Sequence, residues 1–273
     1  MPIKLTPGLA FSRVGEIELK GDLYLPEGTG PHPVLVAVPG GGWRRGDKSQ
    51  LAHWGSFLAA QGAAVFVIDY RRSTAGKVFP QNLQDVASAL AFVREQGPGL
   101  SLDPDRLGLL GASAGAHLAA LAALDEADRP AFPVRVLVGV YGVYDLVSHW
   151  QTDLDRNAAP NEDPTERMLG ATPFDDQDLY VQASPLRKVT YARNALKVLL
   201  IWGQEDTDIL PTQSEAFARS LRQARFMVRT IPVPGAGHFW FSEEKVAPDT
   251  FSGALAPRLA AFLRQHIVGG ARG

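Results

Sequence analysis

Ser113 is the residue whose surroundings speak first for chemistry. It lies in Gly111-Ala112-Ser113-Ala114-Gly115, the G-x-S-x-G form in which a serine occupies a sharp strand-to-helix turn with its hydroxyl exposed. A serine hydroxyl is a weak nucleophile. It needs a base within hydrogen-bond reach, and the base needs a group that orients it. A complete set would perform acyl transfer through a covalent intermediate, provided that donors await the oxyanion.

Six histidines can supply the base: His32, His53, His117, His149, His238 and His266. His238 is favoured because it ends the glycine-rich run Pro234-Gly235-Ala236-Gly237-His238 directly after a predicted strand. Loops at the carboxyl ends of parallel strands converge on one site. His117 stands one helical turn beyond Ser113. A side chain there points along the helix, not over the hydroxyl, and reads as a packed or capping group. His53 and His266 fall in helical patterns and read as surface or interface residues. His32 lies in a proline-rich loop. His149 lies in a long polar excursion and could line a pocket.

The run Trp202-Gly203-Gln204-Glu205-Asp206-Thr207-Asp208 offers the carboxylate. It too leaves a predicted strand and precedes a helix. Asp206 is the first choice, with Asp208 and Glu205 as alternatives. The residues alone do not separate Asp206 from Asp208, and the unused acids would cap the helix near Pro211 or be solvated. For the oxyanion, the backbone N–H of Ala114 is one donor. The loop Pro39-Gly40-Gly41-Gly42-Trp43 can supply others through Gly41 and Gly42, because glycine lets the backbone come close to a ligand.

These groups need elements to hold them. Valine-rich runs at 34–38, 64–69, 106–110, 134–140, 196–202 and 226–233 read as strands. Helical patterns at 49–60, 80–96, 117–124, 211–223 and 251–267 alternate with them. Alternation of this kind implies parallel strands joined by crossovers, with both sheet faces covered. Residues 14–25 alternate polar and apolar side chains around Gly21-Asp22, which suggests an antiparallel hairpin at one edge. The fold class expected is a single α/β domain, 1–273, with a mostly parallel sheet of about eight strands. Residues 145–191 break the rhythm. A connection that long reads as a small lid or pocket wall, or as a solvated excursion.

Composition narrows the function. A net charge of −2 in 273 residues gives no reason to expect nucleic acid or an anionic membrane as partner. The absence of cysteine excludes disulfides, thiol catalysis and cysteine-ligated metal. No apolar run suggests a signal peptide or a membrane span, so a cytoplasmic location is expected.

Several segments together resemble a known family. They are Gly40 to Ser49 (GGGWRRGDKS), Asp69 to Ser73 (DYRRS), Phe79 to Val86 (FPQNLQDV) and Asp103 to Ala119 (DPDRLGLLGASAGAHLA). Ala183 to Pro185 (ASP), the stretch from Trp202 to Ser214, and Gly235 to His238 (GAGH) complete the set. In this order the chain resembles α/β-hydrolase esterases of the hormone-sensitive-lipase-like and feruloyl/acetyl-esterase-like (BD-FAE-type) groups. The resemblance covers nearly the whole chain. It implies the order Ser113, acid, His238 and places the acid three residues after the glycine of the late strand, which selects Asp206. It also implies that the excursion around Trp150 and Tyr180 walls the substrate site without a large cap domain. Two positions depart from the family pattern. Pro39 stands where histidine usually precedes the oxyanion glycines, and Trp202 where histidine usually precedes the glycine of the acid loop.

The expected activity is therefore that of a serine carboxylic-ester hydrolase acting on small or short-chain esters. An arylformamidase or small amidase with the same three groups is the alternative, and a non-catalytic ligand receptor a more distant one. Trp43, Tyr141, Trp150, Phe239 and Trp240 are candidate pocket aromatics, each with core packing as the competing role. No metal or organic cofactor is called for. The edge hairpin or the last helix offers a surface for a homodimer.

Overall fold

The computed structural model describes residues 2–125, 134–156 and 163–269. The strands are β1 (Ile3–Val14), β2 (Ile17–Pro26), β3 (His32–Val38), β4 (Ala64–Ile68), β5 (Leu102–Ala112), β6 (Val136–Val140), β7 (Lys197–Gly203) and β8 (Met227–Val233). They form one sheet in the order β1-β2-β4-β3-β5-β6-β7-β8. The pairs β1–β2 and β2–β4 are antiparallel, and every later pair is parallel. The central strands read as unbroken apolar runs because both of their faces are covered: β4 and β6 are buried at every position.

The helices framing the site are α1 (Ala52–Ala60), α2 (Gln81–Gln96), α3 (Ala114–Leu124), α4 (Leu146–Asp155), α5 (Pro164–Leu169), α6 (Gln177–Ala183), α7 (Pro211–Gln223), α8 (Trp240–Glu243) and α9 (Phe251–Leu263). Helix α3 is buried on nearly all sides. That explains its alanine-rich composition, which lacks the polar stripe of a surface helix. The closing helix is shorter than its pattern suggests, since a π-helical turn, Arg264–Val268, replaces its last residues.

The N-terminal hairpin is present, but its turn is not at Gly21-Asp22. The chain reverses between Val14 and Ile17, with Gly15 at φ +59°. Gly21 sits inside β2, where a Cβ would stand 2.4 Å from the Phe66 ring. The Gly-Asp pair that reads as a turn signal is a close-packing site instead.

Among its described residues the excursion 145–191 contains the short helices α4 to α6 and a 3-10 turn, Pro185–Lys188; its residues 157–162 lie outside the described residues. The acids that make it look solvated have local work. Asp145, Asp163 and Asp176 are the N-caps of α4, α5 and α6, each accepting from backbone N–H groups of the first turn.

Candidate active site

Ser113 lies between β5 and α3 at φ 53°, ψ −123°, a conformation that a residue with a side chain adopts only where the surroundings enforce it. The Ser113 N–H donates to the Val140 carbonyl on β6 at 2.9 Å, and the Ser113 carbonyl accepts from Ala116 and His117. The turn is sharp enough to press α3 onto the sheet. A Cβ on Gly115 would stand 2.0 Å from the Val38 carbonyl oxygen, so the last glycine of the motif is a packing requirement.

His238 Nε2 is 3.1 Å from Ser113 Oγ, and His238 Nδ1 is 2.7 Å from Asp206 Oδ2. The loops carrying the acid and the histidine are tied together by backbone: Gln204 N–H donates to Val233 and Glu205 N–H to Ala236. Gly203 permits this approach, since a Cβ there would meet the Ala236 carbonyl oxygen at 2.2 Å. Asp206 is 2% exposed. Its Oδ1 accepts from the N–H groups of Asp208 and Ile209, both at 2.9 Å, which aims Oδ2 at the imidazole. Asp208 and Glu205 are exposed. The structure thus brings Ser113, His238 and Asp206 together; of the alternative acids, Asp208 lines the cavity without bonding the imidazole and Glu205 does not line it. The imidazole also contacts two aromatic rings, Tyr141 at 4.3 Å and Phe239 at 4.5 Å between centroids.

Gly41, Gly42 and Ala114 line the same cavity as Ser113 and His238. Gly41 and Gly42 have φ of +107° and +57°. The Gly41 carbonyl accepts from the N–H groups of Arg44 and Arg45. The planar trans peptide therefore turns the Gly42 N–H to the opposite side. Trp43 follows at φ 55° and is 1% exposed. Its Nε1–H donates to His117 Nδ1 at 3.1 Å, and His117 Nε2–H donates to the Ala183 carbonyl at 2.7 Å. Burial lowers the His117 pKa to about 4, which keeps the ring neutral and able to accept and donate at once. His117 is a tether between the glycine loop, α3 and the end of α6.

The cavity has a volume of about 630 Å³. Trp43, Tyr141 and Phe239 line it; Trp150 and Trp240 are not among its lining residues. Trp150 Nε1–H donates to Glu166 Oε1 at 2.6 Å and joins α4 to α5. Trp240 packs among Tyr141, Phe241 and Phe251. Both carry an apolar body that core packing claims. Tyr141 is nearly fully buried, its hydroxyl 3.3 Å from Ser242 Oγ, and burial holds that hydroxyl well above the usual phenol range.

The excursion contributes His149, Asp153, Arg156 and Pro164 to the cavity. Arg156 Nη1 donates to the Asp208 carbonyl at 3.1 Å, and Pro164 Cβ is 3.7 Å from where a Cβ on Gly42 would stand. The excursion therefore reaches the acid loop on one side and the glycine loop on the other. Sequence reasoning anticipated His149 here but missed Asp153 and Arg156. The i,i+4 spacing of His149 and Asp153 after a capping aspartate was the available signal. Among the described residues, no group of three or more His, Asp or Glu side chains is arranged to hold a metal ion, and no helix is long and apolar enough to cross a membrane.

Comparison with known proteins agrees with this architecture. Esterase LipC of Mycobacterium tuberculosis is 33% identical over 249 residues, which span 87% of this chain and 59% of LipC. A probable isoprenylcysteine alpha-carbonyl methylesterase of rice, Oryza sativa subsp. japonica, is 29% identical over 235 residues, 80% of this chain and 54% of the relative. The chain thus spans little more than half the length of these curated relatives. Among solved structures, carboxyl esterase 2 of the fungus Tuber melanosporum superposes with a TM-score of 0.77 at 22% identity, covering 97% of this chain and 85% of that one. Esterase 2 of Thermogutta terrifontis, phosphoramylated by tabun, does so with a TM-score of 0.75 at 20% identity, covering 96% and 94%. These likenesses concern the fold, which is the α/β-hydrolase fold. The BD-FAE family model matches residues 21–221, and the chain belongs to that family.

Proposed function

We propose that the protein is a serine carboxylic-ester hydrolase that works through an acyl-enzyme on small or short-chain esters of acetyl, butyryl or aryl type. The observation that carries this reading is the single line from Asp206 through His238 to Ser113, at 2.7 and 3.1 Å. Ser113 Oγ attacks the acyl carbonyl carbon while His238 Nε2 takes the hydroxyl proton. Asp206 fixes the imidazole with Nδ1–H toward itself and stabilises the imidazolium. The N–H groups of Gly41, Gly42 and Ala114 receive the oxyanion, each such donor being worth about 2.7–4 kcal/mol of barrier. The bond to the leaving alcohol breaks, and His238 returns the proton to that oxygen. Water then attacks the acyl-serine by the same route and releases the acid. The segment 145–191 acts as a wall of the substrate pocket within one domain.

Related proteins support the choice of ester over other acyl compounds: the curated relatives are named esterases, a probable carboxylic ester hydrolase and methylesterases. The Ser113→Ala variant is expected to lose turnover of aryl acetate and butyrate and labelling by a fluorophosphonate probe. Undiminished turnover in that variant rejects the assignment. A matched ester and amide pair sharing one acyl group separates the esterase from the amidase reading.

A further inference from the structure

His149 and Asp153 form a second histidine–carboxyl pair in the cavity, one for which the acyl-transfer steps have no use. Both line the same space as Ser113 and His238, and His149 Nε2 is 3.3 Å from Asp153 Oδ2. His149 is 6% exposed. Its Nδ1 has no hydrogen-bond partner among the described residues. The Trp43 ring is 6.4 Å away between centroids, which places the pair beside the glycine loop.

The electrostatics decide what such a pair can bind. Burial, reinforced by Arg156, lowers the His149 pKa to about 4. Burial, reinforced by Asp163 and Asp208 and opposed by Arg156, raises the Asp153 pKa to about 7. Both groups are pushed toward their neutral forms, and with His149 neutral the contact between them is polar and not an ion pair. Arg156 is engaged with the Asp208 carbonyl. A neutral imidazole and a carboxyl offer both donor and acceptor positions, and leaving them unmatched in a closed complex costs free energy. A neutral hydroxyl group, itself donor and acceptor, complements them. Arg156 Nη1 stands 3.9 Å from Asp153 Oδ1, so the one fixed charge beside the pair faces the carboxyl, and the imidazole side is left to a neutral group.

We propose that His149 and Asp153 form a polar subsite for a hydroxyl group on the substrate, so that hydroxylated esters are preferred over their alkyl counterparts. This rests on the esterase reading above. The hydroxyl could belong to the acyl or to the alcohol part. Two isosteric pairs distinguish them: aryl esters of 3-hydroxybutyrate and 3-methylbutyrate, and 4-hydroxybutyl and pentyl acetate.

The readout is the ratio of kcat/KM within each pair, in which a general folding defect cancels. The wild type is expected to favour the hydroxylated member of one pair by roughly tenfold or more, as sites built to hydrogen-bond a substrate hydroxyl do. In His149→Phe and in Asp153→Leu that ratio is expected to fall to within about twofold. Ratios near unity for both pairs in the wild type overturn the proposal, as does a preference that survives in both variants. A loss confined to one variant overturns the paired assignment. Turnover that persists in Ser113→Ala overturns the esterase reading instead, whatever the ratios.

Discussion

The rim that carries Ser113, Asp206 and His238 and the roof residues His149, Asp153, Arg156 and Pro164 line one cavity but are built on different terms. The rim is set by backbone. Ser113 is held by strand and helix hydrogen bonds, and the acid and histidine loops are bonded main chain to main chain. The roof is set by side chains: Trp150 to Glu166, His149 to Asp153 and Arg156 to the Asp208 carbonyl. Backbone placement leaves short local motifs in a sequence. Side-chain placement leaves pairs of ordinary residues, here 4, 16 and 52 positions apart. In such a molecule chemistry and selectivity can change separately.

Gly115→Val gives the hardest test of the rim. A side chain where the Val38 carbonyl stands 2.0 Å from a Cβ should cost more than about 4 kcal/mol, seen as loss of folded protein or a collapse of the thermal midpoint. A wild-type midpoint would mean that the elbow is not a packing requirement. Asp206→Asn comes next. The amide would keep the shape of the loop but present the wrong hydrogen-bond pattern to the imidazole, and kcat should fall by about 10⁴ with little change in thermal midpoint. A loss below tenfold would remove Asp206 from the chemistry.

Trp150→Phe probes the roof. It removes a hydrogen bond to a carboxylate, and a chemical-denaturation curve should show a loss of about 1–2 kcal/mol. KM should rise while kcat stays within about threefold. If kcat fell as far as in Asp206→Asn, the division between rim and roof would fail. The smallest effect concerns pH. His117 belongs to the elbow helix and His149 to the roof, and burial lowers the pKa of each to about 4. The unfolded chain, with histidines near 6.5, binds more protons between these values. The stability from keeping each ring neutral is therefore complete above about pH 6.5 and is lost as pH falls toward 4. Each should contribute about 1 kcal/mol of loss between pH 7 and 5.5. Thermal midpoints of His117→Gln and His149→Gln measured across that range should each show a shallower acid slope than the wild type.

The same division governs what was legible in the sequence. Ser113 and His238 were readable because glycine-flanked turns after valine-rich runs reflect backbone geometry. Asp206 was not separable from Asp208 by residue type, since both share one loop. What separates them is three-dimensional: only Asp206 is buried, with its Oδ1 held by two N–H groups. Trp150 and Trp240 look like pocket aromatics because a large ring suits a core and a binding wall equally. Only the placement of Glu166 and Phe251 decides between the roles. The edge hairpin was legible from its alternation, but not the site of its turn, because the reason for Gly21 is Phe66 on another strand. The polar roof pair left only its i,i+4 spacing, which any surface helix can carry.

The Trp43 to His117 to Ala183 relay sets a rule for how descendants of this chain can diverge. It stitches the end of α6 to the main body through a carbonyl, which every residue type possesses. Position 183 is therefore fixed in its location, and its fully buried side chain must stay small. Insertions and deletions that retune ligand choice should accumulate before α6, in the interior of the excursion, while the distance from that carbonyl to the indole stays the same.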